Sequence, residues 1–198
     1  MRNPLRHRPL RAAALALAIS LAGGGCIGIF AGGAVTGASV AHDQRTAGTV
    51  LDDQAIELKA ASAVAADKPL HEAVHVNFTS YNLVLLVTGE APTEEMRQKV
   101  IGIAREQPRV RQVYDEMVVA PPSTVTERGT DSVLTARVKT QLFTLQEFDA
   151  TRVKVVTERG VVYLLGLVSR ADADRATEVA RGIGGVQKVV RLFEYTDG

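Results

Sequence analysis

Two places in the chain carry residue types at spacings that could do chemistry. His71-Glu72-Ala73-Val74-His75 satisfies H-E-x-x-H. On a helix, that spacing puts two imidazoles on one side of a zinc ion and a glutamate beside its water. The pattern that follows is wrong for a helix. Val74, Val76 and Phe78 alternate with His75, Asn77 and Thr79, a period of two, which is the repeat of a strand. The remaining histidines, His7 and His42, lie far to the N-terminal side, and only Glu94 or Glu95 stays open as a third ligand. The motif reads as a chance match in a loop entering a strand. The second place is Cys26, the only thiol, which follows Gly23-Gly24-Gly25. One cysteine excludes an internal disulfide framework. There is no G-x-S-x-G, and the glycines from Gly182 to Gly185 sit between a helix and a strand, as a C-cap and turn would. No catalytic residue, cofactor or metal ligand is expected, and the chain reads as non-enzymatic.

Cys26 draws its meaning from what precedes it. Arg2, Arg6, Arg8 and Arg11 form a positive start without an acid, and the apolar run Ala12 to Ala22 follows. This is the layout of a secretory signal. An uncleaved anchor is the alternative, because no charge occurs from Ala12 through Ala41; the seven glycines between Gly23 and Gly37 make that half a poor helix. The cysteine after small residues resembles a bacterial lipobox, with Gly23 where leucine is usual, so Cys26 is the expected site of lipidation. Residues 1–25 are then a signal peptide and 26–48 a lipidated, Gly/Ala-rich tether. Two or more acyl chains hold a protein stably at a bilayer. Removing the signal also changes the charge, from 23 basic and 22 acidic residues to 19 and 22. A mildly acidic chain with no basic surplus is not a general nucleic-acid binder.

The elements come in two copies. Asp53, Ile56, Ala60 and Val64 match Asp131, Leu134, Val138 and Leu142, each set reading as an acidic N-cap and the apolar stripe of a helix. Val74–Ser80 and Arg152–Glu158 alternate as strands, and the second copy has no histidine from Asp149 to Val153. Turn signals follow at Tyr81-Asn82 and Arg159-Gly160. Leu83–Gly89 and Val161–Leu167 are apolar on both faces and suit central strands. A second helix is predicted over 93–106 and 171–181, with Glu94 and Glu95 as a solvated start. Closing strands are predicted at 110–113 and 186–189. The expected fold is α+β: two α-β-β-α-β modules at 49–119 and 130–196, each a three-stranded mixed sheet with two helices on one face. Residues 120–129, with Pro121-Pro122, read as a linker.

The second copy, Gly160–Val190, resembles a BON domain, and the first is a weaker match with Leu83 where Gly160 stands. With the signal, cysteine and tether, the chain is similar to dual-BON outer-membrane lipoproteins. That resemblance implies a lipid-anchored protein on the periplasmic leaflet of the outer membrane, serving envelope integrity and division. It also implies that the second module binds anionic phospholipid through its first helix, and it leaves envelope protein partners open. The positions concerned are Val133, Arg137, Lys139 and Gln141, with Val133 standing where the family has a membrane-entering aromatic; Phe143 and Phe148 are the substitutes considered for it. Charge agrees with that choice of module. Asp43 to Met117 holds 8 basic and 12 acidic residues, whereas Gly129 to Gly198 holds 10 and 9. A soluble periplasmic stress or chaperone-like protein is the alternative reading.

Overall fold

The computed structural model describes residues 45–197. Cys26, the signal and most of the tether lie outside the described residues. The first module runs α1 (Ala47–Ala66), α2 (Lys68–Ala73), β1 (His75–Tyr81), β2 (Val84–Ala91), α3 (Glu94–Arg105) and β3 (Gln112–Val119). The second runs α4 (Val125–Phe143), a 3-10 turn at Ala150–Arg152, β4 (Val153–Glu158), β5 (Val161–Val168), α5 (Arg170–Arg181) and β6 (Lys188–Tyr195). In each sheet the middle strand pairs antiparallel with the strand before it and parallel with the strand after it. The expected α+β class and mixed three-stranded sheets are what form.

Both long first helices begin earlier than the sequence suggested. Thr46 caps α1, accepting from the Thr49 amide at 3.1 Å. Thr124 and Glu127 cap α4 reciprocally, Glu127 Oε2 accepting the Thr124 amide at 2.7 Å. Residues 125–129 are therefore helix and not linker. Asp53 and Asp131, expected as caps, are buried within the helices. Each staples the hairpin of its own module. Asp131 accepts the amides of Arg159 and Gly160, both at 2.8 Å. Asp53 accepts those of Asn82 and Leu83, again at 2.8 Å, together with the Ser80 hydroxyl at 2.7 Å. Residue type alone does not separate a carboxylate at a cap from one that reaches a turn about 30 residues away, because both accept backbone N–H groups.

The turns themselves are Asn82-Leu83 and Arg159-Gly160, all four residues with positive φ, as a two-residue hairpin requires. The first is thus one residue later than predicted, and Leu83 (φ 66°) bears a side chain where Gly160 has none. Gly89 is obligatory at the other end of that hairpin: a Cβ there would lie 2.1 Å from the His75 carbonyl oxygen. Gly166, its counterpart, crowds the Arg152 carbonyl in the same way. The closing strands run further than predicted, to Val119 and Tyr195, since each follows its parallel partner along the full length of β2 or β5.

The described buried apolar residues sort into three cores. Ile56, Val64, Leu85, Val87, Val100 and Ala104 pack α1 and α3 on one face of the first sheet. Val138, Leu142, Val162, Leu164, Ala176 and Ala180 do the same for α4, α5 and the second sheet. The third core, Tyr81, Leu86, Tyr163 and Leu165, joins the two sheets by their helix-free faces. This explains why β2 and β5 are apolar on both faces: one faces helices and the other faces the sister module. Burying Leu86 and Leu165 there contributes roughly 1.5–3 kcal/mol each. Tyr163 lies at this seam, where burial and the Glu116 carboxylate push its phenol well above the ordinary tyrosine range.

Candidate functional site

The first helix of the second module presents the expected lipid-contacting residues. Leu134, Val138 and Leu142 face the core, leaving Val133, Arg137, Lys139 and Gln141 exposed. At roughly 100° per residue, Val133, Arg137 and Gln141 succeed one another turn by turn on one flank. Thr126, Gly129, Val133 and Arg137 line a shallow groove of about 440 Å³. Lys139 projects from the opposite flank. Neither Arg137 nor Lys139 forms an ion pair with another described residue.

Between Arg137 and Lys139 runs an apolar crest, of which the site residues named from sequence included only Val133. Val125 is 77% exposed, Val133 50% and Phe143 66%, with Gly129 and Ala136 between them. The crest was hard to read because an early helix start was needed to bring Val125 onto the same face. Phe143, considered from sequence as a substitute aromatic, belongs to it. Phe148 does not: it packs against the module core with the Arg175 guanidinium 5.6 Å from its ring centre. The equivalent helix of the first module also exposes two leucines, Leu51 and Leu58. Its flanking charges are partly engaged, Asp52 with Arg109 at 2.6 Å and Glu57 with Lys154 at 2.8 Å.

The H-E-x-x-H spacing does not make a zinc protease site. His71 and Glu72 are exposed on α2, which ends at Ala73, and His75 is the first residue of β1. The two imidazoles therefore share no helix face. His75 turns instead to the second module, with Nε2 3.6 Å from Oε1 of Glu158. Burial pushes the Glu158 carboxyl above its ordinary range, opposed by the hydrogen bond from Asn77 and by His75, and reinforced by the nearby Glu90 and Asp131 carboxylates.

A BON-domain family model matches residues 52–121 and again 130–197. The chain belongs to the BON-domain family. It is 36% identical to the outer membrane lipoprotein DolP of Haemophilus influenzae over 189 residues, covering 96% of this chain and 98% of that protein. A 21 kDa hemolysin of Actinobacillus pleuropneumoniae is 37% identical over 77% of this chain and 79% of its own length. Osmotically-inducible protein Y of Escherichia coli is 27% identical over 77% of each. These likenesses extend across both BON modules, so the duplication is shared with relatives of nearly the same length. Among the described residues, no helix is long and apolar enough to cross a membrane.

Proposed function

We propose that this tandem BON protein is a non-enzymatic outer-membrane lipoprotein, held by acylated Cys26 and facing the periplasm. Its second BON module binds anionic phospholipid and through it supports envelope integrity. The observation that carries this reading is the α4 crest: Val125, Val133 and Phe143 exposed between Arg137 and Lys139, two cations that form no ion pair with another described residue. Apolar side chains entering the acyl boundary with flanking cations at the headgroups are what an interfacial helix uses. Valine buries less area than an aromatic ring and lacks a polar handle for the interface. The crest compensates by spreading insertion over three residues. Gln141, one turn beyond Arg137, is placed to hydrogen-bond a headgroup.

The test is flotation of the full mature chain with phosphatidylglycerol or cardiolipin vesicles against phosphatidylcholine vesicles. Arg137→Gln weakens anionic binding about fivefold, the worth of one surface cation, and the loss shrinks at high salt. Val133→Trp strengthens it. Equal binding to neutral and anionic vesicles would sink the lipid assignment. Palmitate labelling and fractionation of Cys26→Ala test the anchor separately. The likeness to an osmotically inducible protein favours one other reading, a soluble periplasmic protein, and a Cys26→Ala chain that fractionates like wild type would select it.

A further inference from the structure

The seam between the modules brings three ligating side chains together at one end. His75 opens β1, Glu90 lies directly across from it on β2, and Glu158 closes β4 of the other module. One ligand atom from each lies within 4.8 Å of the other two. Glu90 is fully buried and Glu158 nearly so. Two carboxylates this close and this buried need positive charge or a shared proton nearby. The nearest cation is Arg159, whose guanidinium is half exposed and 3.4 Å from Glu90 Oε1. Arg128 lines the adjoining cavity, while the Asp131 carboxylate adds negative charge there.

The outer partners are arranged as they are around metal ligands. Glu158 Oε2 accepts from Asn77 at 2.9 Å and from Thr88 at 3.4 Å, and Glu90 Oε2 accepts the Ser123 amide at 3.1 Å. Among the described residues, the Oε1 atom of each carboxylate has only a long contact, 3.6 Å to His75 and 3.4 Å to Arg159. Donors that fix one oxygen and leave the other to the ion are the usual outer shell of a metal carboxylate. Beside them the buried Ser123 hydroxyl has no hydrogen-bond partner among the described residues. A cavity of about 340 Å³, lined by His75, Asn77 and Glu158, gives a route in.

The second module supplies an internal control. A shift of 77 residues superimposes the hairpins, so His75 matches Arg152, Glu90 matches Leu167 and Glu158 matches Tyr81. At that opposite end the Tyr81 hydroxyl donates to the Arg152 carbonyl at 3.2 Å, and none of the three matching residues is a carboxylate. A seam can therefore be closed without the triad.

We propose that His75, Glu90 and Glu158 bind one divalent transition ion, such as Zn²⁺, which clamps the two modules together. One imidazole and two carboxylates suit zinc or its neighbours better than calcium or magnesium, which take oxygen ligands. Donors on zinc sit about 3.4 Å apart, so small side-chain rotations close the set, and Arg159 yields its contact with Glu90. Of the H-E-x-x-H residues, His75 alone enters this proposal. His71 and Glu72 take no part.

Chelator-stripped full chain, titrated with zinc chloride by calorimetry, is expected to bind one equivalent and to melt several degrees higher when loaded. His75→Ala and Glu158→Gln each weaken binding by at least about tenfold, the size of even an outer-shell defect. His71→Ala leaves it unchanged. His75→Arg, which copies the matching position of the second module, keeps the fold and abolishes the melting shift. Absence of saturable binding at millimolar zinc would overturn the proposal. So would wild-type affinity in folded His75→Arg, or binding that disappears with His71→Ala.

Discussion

The two ends of the seam perform one task with different chemistry. At one end, Tyr81 reaches across to the Arg152 backbone carbonyl, and Asn82 and Arg111 hold Glu194 at 2.9 and 2.8 Å. At the other, His75 and Asn77 face Glu158 while Arg159 faces Glu90. The hairpins that supply these residues have the same register and the same carboxylate staple. The difference therefore lies in side chains and not in backbone. It teaches that a duplicated surface keeps its apolar centre and its turn while its margins take on separate roles. One margin is an ordinary polar rim, and the other gathers ligands.

That contrast can be broken at its shared centre first. Leu86→Ala and Leu165→Ala each remove a buried side chain between the sheets and are expected to cost about 2–5 kcal/mol. Urea unfolding followed by two probes, one per module, should remain a single transition. Separate transitions, with only the mutated module shifted, would show that the seam does not couple them. Next come the staples. Asp53→Ala and Asp131→Ala leave buried amides without an acceptor, about 1–3 kcal/mol in each case. The loss at Asp53 should be the larger, because it also holds the Ser80 hydroxyl and Arg45. The smallest change makes the turns alike: Gly160→Leu reproduces Leu83 at a φ of 73° and should destabilise by about 1–2 kcal/mol. Gln187 would have to move aside for its Cβ.

Much of this was legible in the residues. The repeat, the helix stripes, the mixed sheets and Gly89 against Gly166 follow from periodicity and spacing, which act locally. The solvated start of α3 is there too, with Glu94 paired to Arg97 at 2.7 Å. What escaped depends on long-range convergence. Nothing local marks Asp53 as a turn staple, since its partners lie 27 to 30 residues away. Glu90 and Glu158 are in different modules, and only the face-to-face packing of the sheets brings them together. The apolar character of both faces of β2 and β5 was the available signal for that packing, because a sheet covered by helices on one side only would alternate. At the candidate lipid site, the family resemblance pointed to Val133 and Arg137, and helix geometry put them on one face. The crest required knowing that α4 begins at Val125.

The connection between the modules has a consequence for how firmly they hold each other. From Val119, the last residue of β3, to the Thr124 cap of α4 there are only four intervening residues, and the Ser123 amide is bonded to Glu90. A tether this short sets the effective concentration of one module around the other in the millimolar range. Two free modules that met with micromolar affinity would, once joined, be closed about a thousand times more often than open. Pairing then hardly depends on how much of the protein is present.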